Sequence, residues 1–335
     1  MNAVPRPGVG IGLVGRVVER SALTAALDRA RAGRSGAVLL SGDAGVGKSR
    51  LVGELTAAAG DALVLLGRCI ETAGAELPYL PFTEVVGQLS AAEPALAERI
   101  PGLRRLTAEG GEPERGGREL GQLQVFDALL TALGAVERPV LLVLEDLHWA
   151  DRSSRDLLVF LLSRLAEQRL LVVATYRADD LHRRHPLRPV LAEIVRLPAV
   201  ERLDLAPLPP AEAFTLVSEL ATDLGLEERE LRRLAARSEG NAFFAEELVS
   251  AAGGGGLPEA LADVLLTRFE RLPAAARQVL RVASVAGSSV ADDTLAQVSG
   301  LAAAEFTEAV REAVAHQVLV TDPRGELAFR HALLR

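Results

Sequence analysis

Lysine is almost missing from this chain: of its 37 basic residues, every one but Lys48 is arginine. A GC-rich coding bias is the simplest source of that excess, and the one exception falls inside the glycine-rich loop described below. Cysteine is as scarce. Cys69 stands alone, so no internal disulfide can form, and it reads as a buried free thiol with no redox role. Long apolar runs are absent too. Stretches such as LLVFLL at Leu157–Leu162 fall far short of the roughly 18 residues a membrane span needs. The opening text MNAVPRPGVGIGLVGR has prolines and glycines where an export signal carries an apolar core, so the chain is expected in the cytoplasm, away from membranes. A net charge of -8 argues against the chain as a whole coating a nucleic acid, although a local basic patch could survive within it.

What is present supports a large fold. At 335 residues and 49% apolar content, two or three domains are expected. Glu19–Ala32 reads as a helix, followed by AVLLSG, a short apolar strand that ends at Gly42. Further strands are read at Ala62–Gly67, Val140–Asp146, Leu170–Tyr176 and Glu201–Leu205, with helical patterns between them. Alternation of this kind predicts an α/β fold with a parallel sheet covered on both faces. Thr107–Arg118, rich in Gly, Glu and Arg, reads as an exposed loop. After APLPP at Ala206–Pro210 the strands stop and amphipathic helices run to Ala252 as a helical lid. GGGG at Gly253–Gly256 is a hinge. Three helices and two short strands, VLVTD and ELAFR joined by Pro323, Arg324 and Gly325, then read as a winged helix. The expected division is a leader at 1–12, a P-loop nucleotide-binding domain at 13–205, the lid at 206–252, a linker at 253–257 and the winged helix at 258–335.

The chemistry centres on GDAGVGKS, Gly42–Ser49. Phosphate binding needs backbone N–H groups converging on one anion, and Gly42, Gly45 and Gly47 permit the required backbone. Lys48 can reach the β and γ oxygens, Ser49 can ligate Mg²⁺, and the helix that starts here directs its positive end at the phosphates. The expected binding set is Gly42, Asp43, Ala44, Gly45, Val46, Gly47, Lys48, Ser49 and Arg50, with ATP or ADP and Mg²⁺ as ligands. A second acidic site is expected at the end of another strand, and VLLVLED supplies Glu145 and Asp146. One carboxylate holds the Mg²⁺ shell and the other orients or deprotonates the attacking water; Glu145 is assigned to the metal and Asp146 to catalysis, with the reverse left open. Arg177, closing LLVVATYR, would lie between the two sites in the sheet order common to such ATPases, and could sense the γ-phosphate.

Other candidates carry less. His182 and His185 read as a solvated loop, and His148 and Trp149 as packing after the acidic strand. The third helix of the winged helix has Glu305, Glu308 and Glu312 against Arg311 alone, which is unsuited to DNA phosphates. No direct DNA contact is expected from this segment.

Taken together, LVGR at Leu13–Arg16, GDAGVGKS, LVLEDLHWAD at Leu142–Asp151, ATYR, SEGNAFFAEELV and FRHALLR resemble the STAND signal-transduction ATPases. Within them the match is to the large ATP-binding regulators of the LuxR type, related to the maltose-regulon activator. The resemblance covers Leu13 to Arg335. It implies a switch that closes over ADP at rest and self-associates with ATP, with slow hydrolysis resetting it. It also implies that backbone at Val14, Gly15 and Arg16 lies near the adenine, that Arg177 is the sensor, and that His331 touches the ADP β-phosphate. Two departures stand out: Glu145 where relatives have aspartate, and Gly240-Asn241-Ala242 where they have Gly-Asn-Pro. Relatives continue into a helical-repeat sensor and a DNA-reading domain, so this chain is expected to be a fragment whose DNA-binding part follows Arg335. The competing expectations are the same core attached to an adenylyl cyclase or kinase, and a freestanding AAA-like ATPase.

Overall fold

The computed structural model describes residues 11–71, 77–106, 118–182, 185–252, 269–270, 272–286, 289–316, 318–321 and 326–329. Two compact units emerge, Arg16–Ala206 and a second formed by Met1–Gly15 with Pro207–Arg335.

In the first unit, strands β1 (Gly36–Gly42), β2 (Leu63–Arg68), β3 (Val140–Glu145), β4 (Leu170–Arg177) and β5 (Val200–Leu205) form one sheet. It has the order β2-β3-β4-β1-β5 and every pairing is parallel. The α/β P-loop-type fold is therefore present, with β4 lying between the strand that enters the glycine loop and the strand that carries the acidic pair. β3 and β4 are buried along nearly their whole length, which is why they read as continuous apolar runs and not as alternating ones. Helices α1 (Val17–Arg31), α2 (Lys48–Ala57), α3 (Leu80–Ala92), α4 (Pro94–Arg99), α5 (Arg118–Ala135), α6 (Arg152–Ser163) and α7 (Leu187–Ile194) accompany the sheet. α6 shows how sequence sets an element: Asp151 caps it by accepting from the Ser154 N–H at 3.0 Å, and Leu157, Leu158, Leu161 and Leu162 line its buried face. Cys69 is buried, which pushes its thiol pKa up to about 12; it is a packing residue at neutral pH.

The second unit begins with α8 (Pro210–Leu220), α9 (Glu228–Ser238) and α10 (Ala242–Ser250) around a core that includes Leu216, Leu234 and Leu248. Gly240 has φ 75° and lies against the Leu208 backbone, so a side chain there would collide. Asn241 caps α10 by accepting from the Phe244 N–H at 3.3 Å. Ala242 is then the first helical residue, a place that accepts alanine as readily as the proline of the resembling family. Beyond it, helices Ala274–Ala286, Asp292–Ser299 and Ala303–Ala315 surround a second core, with a three-stranded sheet of Ser289–Val290, Leu327–Phe329 and Leu319–Thr321, in that order and antiparallel. The strand Ser289–Val290 was not anticipated from sequence; two residues give no periodicity to read. On Ala303–Ala315 the lone arginine is committed within the helix, Arg311 Nε donating to Glu308 at 2.8 Å.

Several expectations fall outside the described residues: the loop as far as 117, the linker, the turn at Pro323, Arg324 and Gly325, and His331.

Candidate functional site

The site is built at the carboxyl ends of β1, β3 and β4, where open parallel sheets place their ligands. β1 ends at Gly42 and α2 starts at Lys48, so GDAGV spans the turn between a strand end and a helix N-terminus. Gly42 takes φ 154° and a Cβ on it would sit 2.8 Å from the Leu205 carbonyl oxygen; Gly47, the N-cap, takes φ 106°. Both positions therefore require glycine for the chain to turn here. Lys48 is only 8% exposed, and its Nζ donates to the Gly42 and Asp43 carbonyls at 2.7 and 2.9 Å. Burial lowers its pKa, and the largest opposing influence is the Asp179 carboxylate. The other loop residues have varied surroundings. The Ala44 N–H donates to Asp179 at 3.4 Å, Val46 is buried, and Ser49 and Arg50 are exposed, with Arg50 Nε 3.7 Å from Glu54.

Arg16 supports this loop through its side chain. It is 7% exposed, and donates from Nη2 to the Val46 carbonyl and from Nη1 to Glu19, each at 3.2 Å. Val14 and Gly15 belong to the other unit, where Val14 packs with the core of α8–α10 and Gly15 lies directly against the Glu212 carboxylate.

The acidic pair divides. Glu145 is the last residue of β3, in register with Arg68 on β2, and its Oε2 accepts from Arg68 Nη2 at 2.8 Å and Nε at 3.2 Å. Asp146 follows in a left-handed conformation, φ 60°, and its N–H donates to Thr175 Oγ1 at 3.1 Å. That turn sets Asp146 on the β4 side of β3, with Oδ1 4.0 Å from Arg177 Nε. Desolvation raises the Asp146 pKa, opposed first by Arg177 and less by Lys48. Arg177 ends β4 and is registered opposite Gly42. Arg177 thus joins the two strand ends: its backbone is registered opposite Gly42, its guanidinium lies beside Asp146, and its charge helps to lower the Lys48 pKa.

Sequence reading missed the contribution of five residues. Arg68 became visible only once the register of β2 on β3 was known. Asp179 and Asp180 follow Arg177 directly in the text ATYRADD, an adjacency that could have drawn notice; Asp179 touches the loop, and Asp180 lies 3.7 Å from Arg177 Nη1. His148 is buried, as expected of a packing residue, but its Nδ1 is 3.9 Å from Asp146 and its Nε2 3.6 Å from Asp180. Trp149 carries the Arg177 guanidinium 5.0 Å above its ring. By contrast His185 is half-buried, its Nδ1 accepting the Leu187 N–H at 3.1 Å at the start of α7.

Chemically, the glycine turn, the α2 N-terminus and Lys48 form a donor set that fits phosphate oxygens. Ser49, Glu145 and Asp146 offer oxygen ligands. Among the described residues there is no cluster of three or more His, Cys, Asp or Glu that could hold a metal ion. A few protein oxygens suit Mg²⁺, which keeps waters and phosphate oxygens in its shell and does not need a protein cage.

Comparison with known proteins agrees with this chemistry. Residues 12–173 match the AAA ATPase domain family. A Walker-type ATPase of Pyrococcus abyssi shares the fold at TM-score 0.60, with 15% identity, over 96% of this chain and 95% of that one. An Orc1 protein of Aeropyrum pernix, solved with DNA, aligns at TM-score 0.49 and 18% identity over 96% and 91% of the two chains, too distant to carry an argument. An uncharacterized protein of Rhizobium meliloti (strain 1021) is 28% identical over 321 residues, covering 84% of this chain. The chain spans 30% of that relative's length. The first unit is an AAA-like ATPase domain, and nucleotide binding is the activity such a domain is expected to have. Among the described residues no helix is long and apolar enough to cross a membrane.

Proposed function

We propose that this chain is the nucleotide-operated switch core of a bacterial transcriptional regulator, holding ATP or ADP with Mg²⁺ and hydrolysing ATP slowly. The observation that carries the switch reading is Arg177, registered opposite Gly42 and 4.0 Å from Asp146. Its cation lies beside the acid near the point of attack, and its charge is felt by the lysine of the loop that would hold the phosphates.

In this reading the loop N–H groups and Lys48 bind and orient the phosphate chain. Arg16 and Asp179 fix the loop backbone, the first at the Val46 carbonyl and the second at the Ala44 N–H. Ser49 and Glu145 are the Mg²⁺ ligands; both Arg68 bonds fall on Oε2 of Glu145, which holds the carboxylate in one orientation. The metal, when bound, neutralises charge on the transferring phosphoryl group. Asp146 accepts the proton of the attacking water, a role its raised pKa favours by making it the better base. Arg177 stabilises the terminal phosphate. Val14, Gly15 and His331 remain proposed nucleotide contacts by resemblance. Self-association in the ATP state, a winged-helix identity for residues 258–335 without direct DNA contact, and a DNA-reading domain elsewhere in the regulator belong to the same proposal. The relative's greater length supports a core within a longer protein.

A second reading is a freestanding ATPase, favoured by the Pyrococcus ATPase, which this chain covers over 95% of its length. The content of the purified protein separates the two. A resting switch retains its nucleotide, so mass spectrometry of the denatured protein is expected to find ADP near one equivalent per chain. Protein that is free of ADP and ATP after gentle purification would count against the switch.

A further inference from the structure

The surroundings of Arg177 contain two opposed influences. Its guanidinium carbon lies over Trp149, 5.0 Å from the ring centroid. A cation–π contact of this kind leaves N–H groups of the guanidinium available to anions. Two carboxylates stand near the nitrogens, Asp180 at 3.7 Å from Nη1 and Asp146 at 4.0 Å from Nε. Both distances exceed the roughly 2.7–2.9 Å of a charge-assisted hydrogen bond. Arg177 is therefore in contact with an uncharged ring, while its charge is shared between two anions at ion-pair distance. Asp180 is itself backed by buried His148, whose Nε2 lies 3.6 Å away.

We propose that Asp180 and Trp149 act on Arg177 with opposite sign to set how strongly the site prefers a nucleoside triphosphate over a diphosphate. This rests on the reading that Arg177 meets the terminal phosphate. Asp180 competes with that phosphate for the N–H groups of Arg177, and its negative charge opposes the approach of another anion. Trp149 fixes where the guanidinium lies at the end of β4, whose last residue is registered opposite Gly42. Neither effect reaches a diphosphate, which lacks the group Arg177 would contact. Both are positioning residues.

The test is calorimetric titration of the 335-residue chain with Mg·ADP and with a magnesium-bound, non-hydrolysable β,γ-imido analogue of ATP. Each variant is first matched to the parent by thermal melting. Asp180→Asn is expected to raise the ratio Kd(ADP)/Kd(analogue) about threefold or more, the size of a partly exposed ion pair, with ADP affinity nearly unchanged. Trp149→Leu should lower the ratio by a similar factor, and Trp149→Phe, which keeps an aromatic face, should restore it. A common factor for both nucleotides, or ratios that move in the same direction in the Asp180 and Trp149 variants, would overturn the proposal. Arg177→Ala separates the levels. If it leaves the ratio unchanged, the sensor reading fails; if it shifts the ratio while Asp180→Asn and Trp149→Leu do not, only this proposal fails.

Discussion

Alanine at position 48 is expected to weaken ATP binding at least about 100-fold, and arginine to do nearly as much harm. A hydrogen bond to a charged group is worth about 1.5–3 kcal/mol, and an ammonium that serves two phosphates makes more than one. The arginine variant is the sharper test, because this chain uses arginine at all 36 of its other basic positions, 37 less Lys48. Lys48 is 8% exposed and fits between two carbonyls at 2.7 and 2.9 Å. A guanidinium is wider, planar and rigidly forked, and cannot replace a compact point charge in that space. Calorimetric titration with Mg·ATP reads the effect. Arginine binding within about threefold of the parent would show that charge alone is required; unchanged binding by the alanine variant would remove Lys48 from the site.

Asn at position 146 is expected to lower steady-state ATP hydrolysis about 100-fold or more, the usual worth of a positioned general base, and to leave ATP binding within about threefold. The structural reason is the division of the acidic pair: Glu145 is anchored to Arg68, whereas Asp146 adjoins Arg177. Desolvation gives Asp146 a raised pKa, which also fixes a pH dependence. A carboxyl whose folded pKa lies above its unfolded value opposes folding once it ionises; that cost appears above the unfolded pKa and is complete above the folded one. The asparagine variant should therefore melt at a higher temperature than the parent at neutral pH, and the gain should vanish as pH falls below the ordinary carboxylate range. In the parent, hydrolysis should fall on acidification at a pH above that range. A variant with parental turnover would move the base to Glu145.

What could be read from sequence alone was whatever is local. GDAGVGKS keeps its chemistry within eight consecutive residues, and β3 and β4 announce themselves because strands buried on both faces are continuous runs of Val and Leu. Strand ends moved by a residue: the acidic strand ends at Glu145 where Asp146 was expected, because Asp146 adopts a left-handed turn that closes the strand. Relations that need the fold were out of reach. Nothing near Arg68 in the chain points to Glu145, 77 residues away; only parallel register brings them together. Arg16 was expected to matter through its backbone, yet its side chain grips the Val46 carbonyl. Asp179 and Asp180 look like two ordinary loop acids until β4 delivers them, one to the Ala44 N–H and the other to Arg177.

A switch differs from a motor in how rarely it fires, so the most direct measurement is steady-state turnover of the unmodified chain at saturating Mg·ATP, beside a titration that demonstrates binding. The switch predicts saturable ATP binding with turnover well below about 1 s⁻¹, the lower edge of ordinary enzyme rates. Turnover of about 1 s⁻¹ or faster, or no binding at all, would contradict it.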